Sequence, residues 1–252
     1  MLGANEPTAV TIERADGQSV FFITVDHASN RIPEALGDLG IPLHERERHI
    51  AWDIGALGVA RNLSQAFDAC LVTTNYSRLV IDCNRDPARE DSIPALSEST
   101  VIPGNCGLSV EAKVQRRNVF WEPYHRTIGG LLAARFNRPT LYIAIHSFTP
   151  VYKGESRPWH IALLSNRDRR VAEILLRELP RDPALCVGDN TPYRLTDEGD
   201  YGVPVHAERQ GLPHVLIEIR QDQIADPAGQ RVWAARLQPL LELAANELGQ
   251  RT

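Results

Sequence analysis

The sequence predicts an α/β fold, a three-layer α/β/α sandwich around a mostly parallel or mixed central sheet. Three observations carry this. Short aliphatic runs recur along the chain and are apolar on both faces, as strands covered on two sides must be. Stretches with helical periodicity separate them. Several of the runs stop abruptly at polar residues, and open α/β sheets bind their ligands beyond the carboxyl ends of their strands.

The elements follow in order. Phe21 to Val25 is the first strong strand, ending at Asp26-His27-Ala28-Ser29-Asn30. A helix is expected over Ala56 to Phe67, then strands at Leu71 to Thr74 and at Leu79 to Ile81. The next helix starts after Ser109, whose hydroxyl suits an N-cap, and is expected to break near Pro123, which lacks an N–H. Leu141 to Ile145 and His160 to Leu164 read as strands, and a third helix places Val171, Ile174, Leu175 and Leu179 on one face. The last strand is Val215 to Ile219. The last helix, Gly229 to Leu248, sets Val232, Trp233, Leu237, Leu240, Leu241, Ala244 and Leu248 at helical spacing, with a kink expected at Pro239. No repeat, low-complexity tract or polar linker interrupts this order, so a single domain over residues 1–252 is expected.

Composition excludes several functions. The formal net charge is −5, and 27 Lys and Arg are scattered among 32 Asp and Glu, so no basic stripe is available for nucleic acid. No apolar run approaches the roughly 20 residues that cross a bilayer. The first residues lack the basic and apolar regions of a secretory signal, and none of the four cysteines forms a CxxC pair. The sequence reads as a reduced, cytoplasmic protein in which Cys70, Cys83 and Cys186, in or beside apolar strand-like runs, are expected to be small buried hydrophobes rather than part of a structural zinc site.

The residues delivered to strand ends are chemically concentrated. They are Asp26 and His27, Asp82 with Asn84 and Arg85, His146 and Ser147, Ser165 and Asn166, and Glu218 with Arg220. Two imidazoles and a carboxylate are a common set for a catalytic zinc with an open position. His27 and His146 supply the imidazoles. Asp53, just ahead of a helical segment, is the preferred third ligand and Asp26 the competing one. Glu218 interrupts an otherwise aliphatic strand, and an unpaired buried charge is costly. Either it forms an ion pair, with Arg220 or an arginine of another strand, or it is a general base of raised pKa beside a metal-activated water. Arg78 and Arg85 either clamp a substrate carboxylate in bidentate fashion, as guanidinium groups do, or pair with Asp82 or Asp86 within the chain, and Asn84 could donate its amide to the same ligand. Tyr124-His125 suggests a helix-end histidine or a further imidazole near the site. His44, His49, His160, His206 and His214 show no partner pattern.

In order, the blocks Asp26-His27-Ala28-Ser29-Asn30-Arg31-Ile32-Pro33, Ala51-Trp52-Asp53-Ile54-Gly55, Ser77-Arg78-Leu79-Val80-Ile81-Asp82-Cys83-Asn84-Arg85, Pro123-Tyr124-His125, Ile145-His146-Ser147-Phe148 and Ile217-Glu218-Ile219-Arg220-Gln221-Asp222 resemble the N-formylglutamate amidohydrolase family. The resemblance runs from about Val20 to Asp222. It implies a fold related to zinc carboxypeptidases and hydrolysis of N-formyl-L-glutamate to formate and L-glutamate, the closing step of one histidine degradation route. It also implies a divalent metal, zinc by expectation. His27 and His146 match the family's metal-site histidines, Glu218 its carboxylate on the late strand, and Arg78 with Asn84-Arg85 its carboxylate-binding groups. The expected partner is a small acidic N-acyl amino acid, with no nucleic acid or membrane. Two other readings stay open at this stage: a metal-dependent amidohydrolase or peptidase for another N-acyl substrate, and a non-catalytic protein that binds an acidic metabolite.

Overall fold

The computed structural model describes residues 1–250. Seven strands form one sheet: β1 (Val10–Glu13), β2 (Phe21–Val25), β3 (Cys70–Thr74), β4 (Leu141–Phe148), β5 (Ile161–Leu164), β6 (Val187–Asp189) and β7 (His214–Arg220), in the spatial order β1-β3-β2-β4-β7-β5-β6. The four central strands β3, β2, β4 and β7 run parallel; β1 pairs antiparallel to β3, and β5 antiparallel to β7. The sheet is therefore mixed with a parallel centre. Four of these strands are buried along their whole length, and β7 at every residue but the last.

Period-two alternation sorts their side chains between two cores. Phe21, Ile23 and Val25 of β2, Ile143 and Ile145 of β4 and Val215, Ile217 and Ile219 of β7 pack with α1 (Ala56–Phe67), α4 (Arg170–Glu178) and α6 (Pro227–Glu247). Phe22, Tyr142, Ala144 and Leu216 point the other way, towards α3 (Glu122–Ala134) and α5 (Gly202–His206). Helices cover both faces, giving three layers. Among the described residues no helix is long and apolar enough to cross a membrane.

Two elements depart from the sequence reading, each for a physical reason. Leu79 to Ile81 is buried but forms a turn, not a strand. Its backbone is satisfied without a ladder: Asn105 Nδ2 donates to the Leu79 carbonyl at 2.9 Å and Arg116 Nη1 to the Val80 carbonyl at 3.1 Å. Nor does Pro123 break its helix. Ser109 caps α2 (Val110–Arg116) by accepting the Ala112 N–H, and α2 continues through a π-helical turn, Arg117–Trp121, into α3. The wider turn pairs Glu122 N–H with the Arg117 carbonyl, so Pro123 falls in the first turn of α3, where its missing N–H is tolerated. The continued helix carries Tyr124 and His125 into the core. Pro239 lies within α6, which runs through it without interruption.

The four cysteines are free: Cys70 and Cys83 are buried as expected, whereas Cys186, expected in the core, is half-buried and Cys106 is exposed. Gly55 starts α1 at φ +81°, where a Cβ would stand 2.1 Å from the Ile224 carbonyl oxygen. Only glycine suits that combination, and the turn it makes presents Asp53 to the end of the sheet.

Candidate active site

β4 and β7 are parallel neighbours in a register that pairs His146 with Glu218. Alternation continues the face of Ala144 and Leu216, so both side chains emerge on the α3/α5 side at the carboxyl end of the sheet. His27 follows β2 on the other side of β4, and Asp53 arrives from the turn before α1. His27, Asp53 and His146 are 2–3 % exposed, and one ligand atom from each lies within 4.8 Å of the others. Both imidazoles face the same carboxylate oxygen: Asp53 Oδ2 is 3.3 Å from His27 Nδ1 and 2.8 Å from His146 Nδ1. The opposite nitrogens also meet carboxylates, with His27 Nε2 2.7 Å from Asp82 Oδ1 and His146 Nε2 3.3 Å from Asp26 Oδ2. Asp26, the competing candidate for third ligand, therefore stands behind His146 rather than within the converging group.

Electrostatics favour a cation here. Burial opposes charge on His146, but Asp26 and Asp53 outweigh it and hold the ring well above the ordinary histidine value. His27 is also raised: burial and Arg78 work against it, while Asp82 and Asp53 prevail. Asp53 and Asp82 are held below the carboxylate range despite burial, Asp53 by the two histidines and Asp82 by Arg78 and His27. A divalent cation held by His27, Asp53 and His146 would take the place of ring protons in this group. The donor set fits a metal on these grounds.

Glu218 has no ion pair among the described residues, and its Oε2 is buried without a hydrogen-bond partner. Arg220, the partner suggested by the sequence, binds Asp222 at 2.7 Å. Burial pushes the Glu218 carboxyl up to about 7, against the pull of His146. Glu218, Asp53 and both histidines line a cavity of about 620 Å³, together with Arg78 and Arg85. The Arg78 guanidinium binds Asp82 Oδ2 at 2.6 Å and lies 3.7 Å from Asp53 Oδ1, with part of its surface open to the cavity. Arg85 donates to the Gly199 carbonyl and lies 3.7 Å from Asp91. The Asn84 side chain donates one N–H to Asp200 Oδ1 at 2.9 Å and accepts the N–H groups of Tyr201 and Gly202 at 3.0 Å.

Other polar residues of the sequence reading lie elsewhere. Ser165 and Asn166 follow β5, but β5 is antiparallel to β7, so its carboxyl end points to the opposite edge of the sheet. His125 is buried against His206, with Nδ1 and Nε2 2.9 Å apart, and its other nitrogen meets the Cys83 carbonyl. It is Tyr124 that reaches the site, donating its hydroxyl to Asp26. Tyr193 on the cavity wall carries no signal in the sequence: its hydroxyl accepts from Arg157, whose guanidinium lies against the rings of Tyr152 and Tyr193. No local pattern marks that contact, which joins residues far apart in the chain.

A family model for N-formylglutamate amidohydrolase matches residues 19–225. A crystal structure of a gene product from Agrobacterium tumefaciens is similar at a TM-score of 0.95 and 36% identity, covering 98% of this chain and 99% of that one. The N-formylglutamate amidohydrolase of Ralstonia eutropha is similar in fold at a TM-score of 0.65 and 19% identity, over 96% of this chain and 97% of that one. Comparison with curated protein sequences finds no match. A match over that span, with a hydrolase sharing the fold, places the chain in the N-formylglutamate amidohydrolase family.

Proposed function

We propose that the protein hydrolyses the amide of N-formyl-L-glutamate to formate and L-glutamate, using a divalent metal held by His27, Asp53 and His146. The observation that carries this is the buried His-Asp-His group with an unpartnered Glu218 oxygen on the wall of the same cavity. Two imidazole nitrogens and one carboxylate oxygen suit zinc with a position left open. Bound there, the metal would polarise the formyl carbonyl and lower the pKa of water.

The remaining work falls to this chain's own residues. Glu218 Oε2 takes a proton from the attacking water as the water oxygen bonds to the formyl carbon. The C–N bond then breaks, and Glu218 returns the proton to the departing nitrogen. Burial raises this carboxyl above its ordinary value, which favours holding the proton between the two transfers. Arg78, beside the histidines, and Arg85, on the cavity wall, hold the substrate carboxylates. Asn84 supports binding by keeping the Asp200–Gly202 segment against the cavity. The arginines give an acidic protein a local positive surface for a dianion.

Substrate preference tests this reading. N-formyl-L-glutamate is expected to exceed N-formyl-L-alanine in kcat/KM by about 100-fold or more, because the neutral side chain leaves a guanidinium without its partner. Equal values for the two would remove the arginine clamp. The cavity is of a size that accepts ligands larger than a formylated amino acid, so N-acetyl-L-glutamate and acidic dipeptides belong in the same panel. Faster turnover of either would move the activity to a wider amidohydrolase.

A further inference from the structure

We infer that Asp26 and Tyr124 are positioning residues for His146: the phenol orients the carboxylate, and the carboxylate fixes the imidazole with Nδ1 turned to Asp53. The inference rests on the metal site proposed above. An imidazole has two nitrogens, and the partner of one decides what the other presents. His146 Nε2 stands 3.3 Å from Asp26 Oδ2 while Nδ1 stands 2.8 Å from Asp53 Oδ2. The ring thus lies between two buried carboxylates, hydrogen-bonded to Asp53 and in charge contact with Asp26, whose approach to Nε2 lacks hydrogen-bond geometry. Asp26 has its other oxygen, Oδ1, bonded by the Tyr124 hydroxyl, and Tyr124 is wholly buried on α3. Gly202, at the start of α5, packs so close that a Cβ there would stand 3.2 Å from Asp26 Oδ2. The carboxylate is confined from both helices of that layer.

The second imidazole also has a carboxylate behind it, there in a direct hydrogen bond. His27 Nε2 meets Asp82 Oδ1 at 2.7 Å, and Asp82 is held by Arg78 at 2.6 Å and by the Asn84 N–H at 2.8 Å. Those groups line the cavity, so changing them would alter substrate binding as well. Asp26 and Tyr124 are not on the cavity wall. They reach the reaction only through His146, and a neutral phenol steadies the carboxylate without adding a second positive charge beside the metal.

The test is titration of chelator-treated full-length protein with Zn²⁺, in competition with a chromophoric chelator, and with Co²⁺, read by its visible absorption. Asp26→Asn is expected to raise the metal Kd by about 10- to 100-fold, with Tyr124→Phe at the lower end of that range. Both should shift the cobalt bands. Tyr142→Phe is the control. Its hydroxyl is buried in the same core and accepts from Thr24 at 3.0 Å, so its loss should lower Tm yet leave Kd and spectrum at wild-type values. Wild-type affinity and spectrum in both test variants would overturn the inference, as would equal weakening in Tyr142→Phe. If Asp26→Asn does not fold, Tyr124→Phe decides. A wild-type protein that binds neither metal overturns the metal site itself, and this inference with it.

Discussion

Glu218→Gln is expected to lower kcat for formate release by about 10²- to 10⁴-fold while the fold is retained, the range a positioned general base contributes. The substitution keeps size and shape and removes only the ability to take a proton. Retention of the fold follows because Glu218 has no ion pair among the described residues, so no buried cation there loses its partner. A second consequence is thermodynamic. Burial raises the Glu218 carboxyl from 4.5 to about 7, so between these values the native state of the metal-free protein keeps a proton that the unfolded chain has lost. Stability therefore falls as pH rises through that window, by on the order of 3 kcal/mol from this group. Glu218→Gln lacks this loss, and its denaturation midpoint at pH 8 should meet or exceed that of wild type. Full activity in the variant would show that Glu218 is not the base.

Asp53→Asn is expected to abolish metal retention and reduce activity by at least about 10³-fold. Asp53 Oδ2 is the one atom that both histidines face. An amide oxygen is neutral, and it leaves the two imidazoles without the negative charge between them. The effect on stability has a defined direction. The Asp53 carboxyl is depressed in the folded protein, so its contribution is present above the unfolded value and disappears as pH falls through the folded one. The wild-type advantage over Asp53→Asn in metal-free protein should accordingly be largest near neutrality and shrink in acid. Metal content after dialysis against chelator, measured beside formate release, checks the main claim; a variant that keeps one metal per chain would remove Asp53 from the ligand set.

Much of this site was legible because polar residues in buried aliphatic runs are costly and therefore conspicuous. His27 at the end of β2, His146 within β4 and Glu218 within β7 stand out on that ground alone. Asp53 was legible only through its place ahead of α1; its convergence with the histidines depends on the turn at Gly55. Strand direction is not written in local pattern. Ser165 and Asn166 look like a further contribution to the site until the antiparallel pairing of β5 turns them away. The buried turn at Leu79–Ile81 resembles a strand because apolar content reports burial, not hydrogen bonding, and its carbonyls are taken by Asn105 and Arg116. In Tyr124-His125 the sequence points to the imidazole, whereas the phenol is what reaches Asp26: Pro123 marks a helix break in sequence, but the π-helical turn before it lets the helix continue.

Formate release from N-formyl-L-glutamate by protein stripped with a chelator and then resupplied with Zn²⁺, beside an untreated sample, tests metal and substrate together. The expected result is activity lost on stripping and restored at about one equivalent of metal. Undiminished release from protein verified as metal-free would contradict the metal role of His27, Asp53 and His146, and no release under any metal would contradict the substrate.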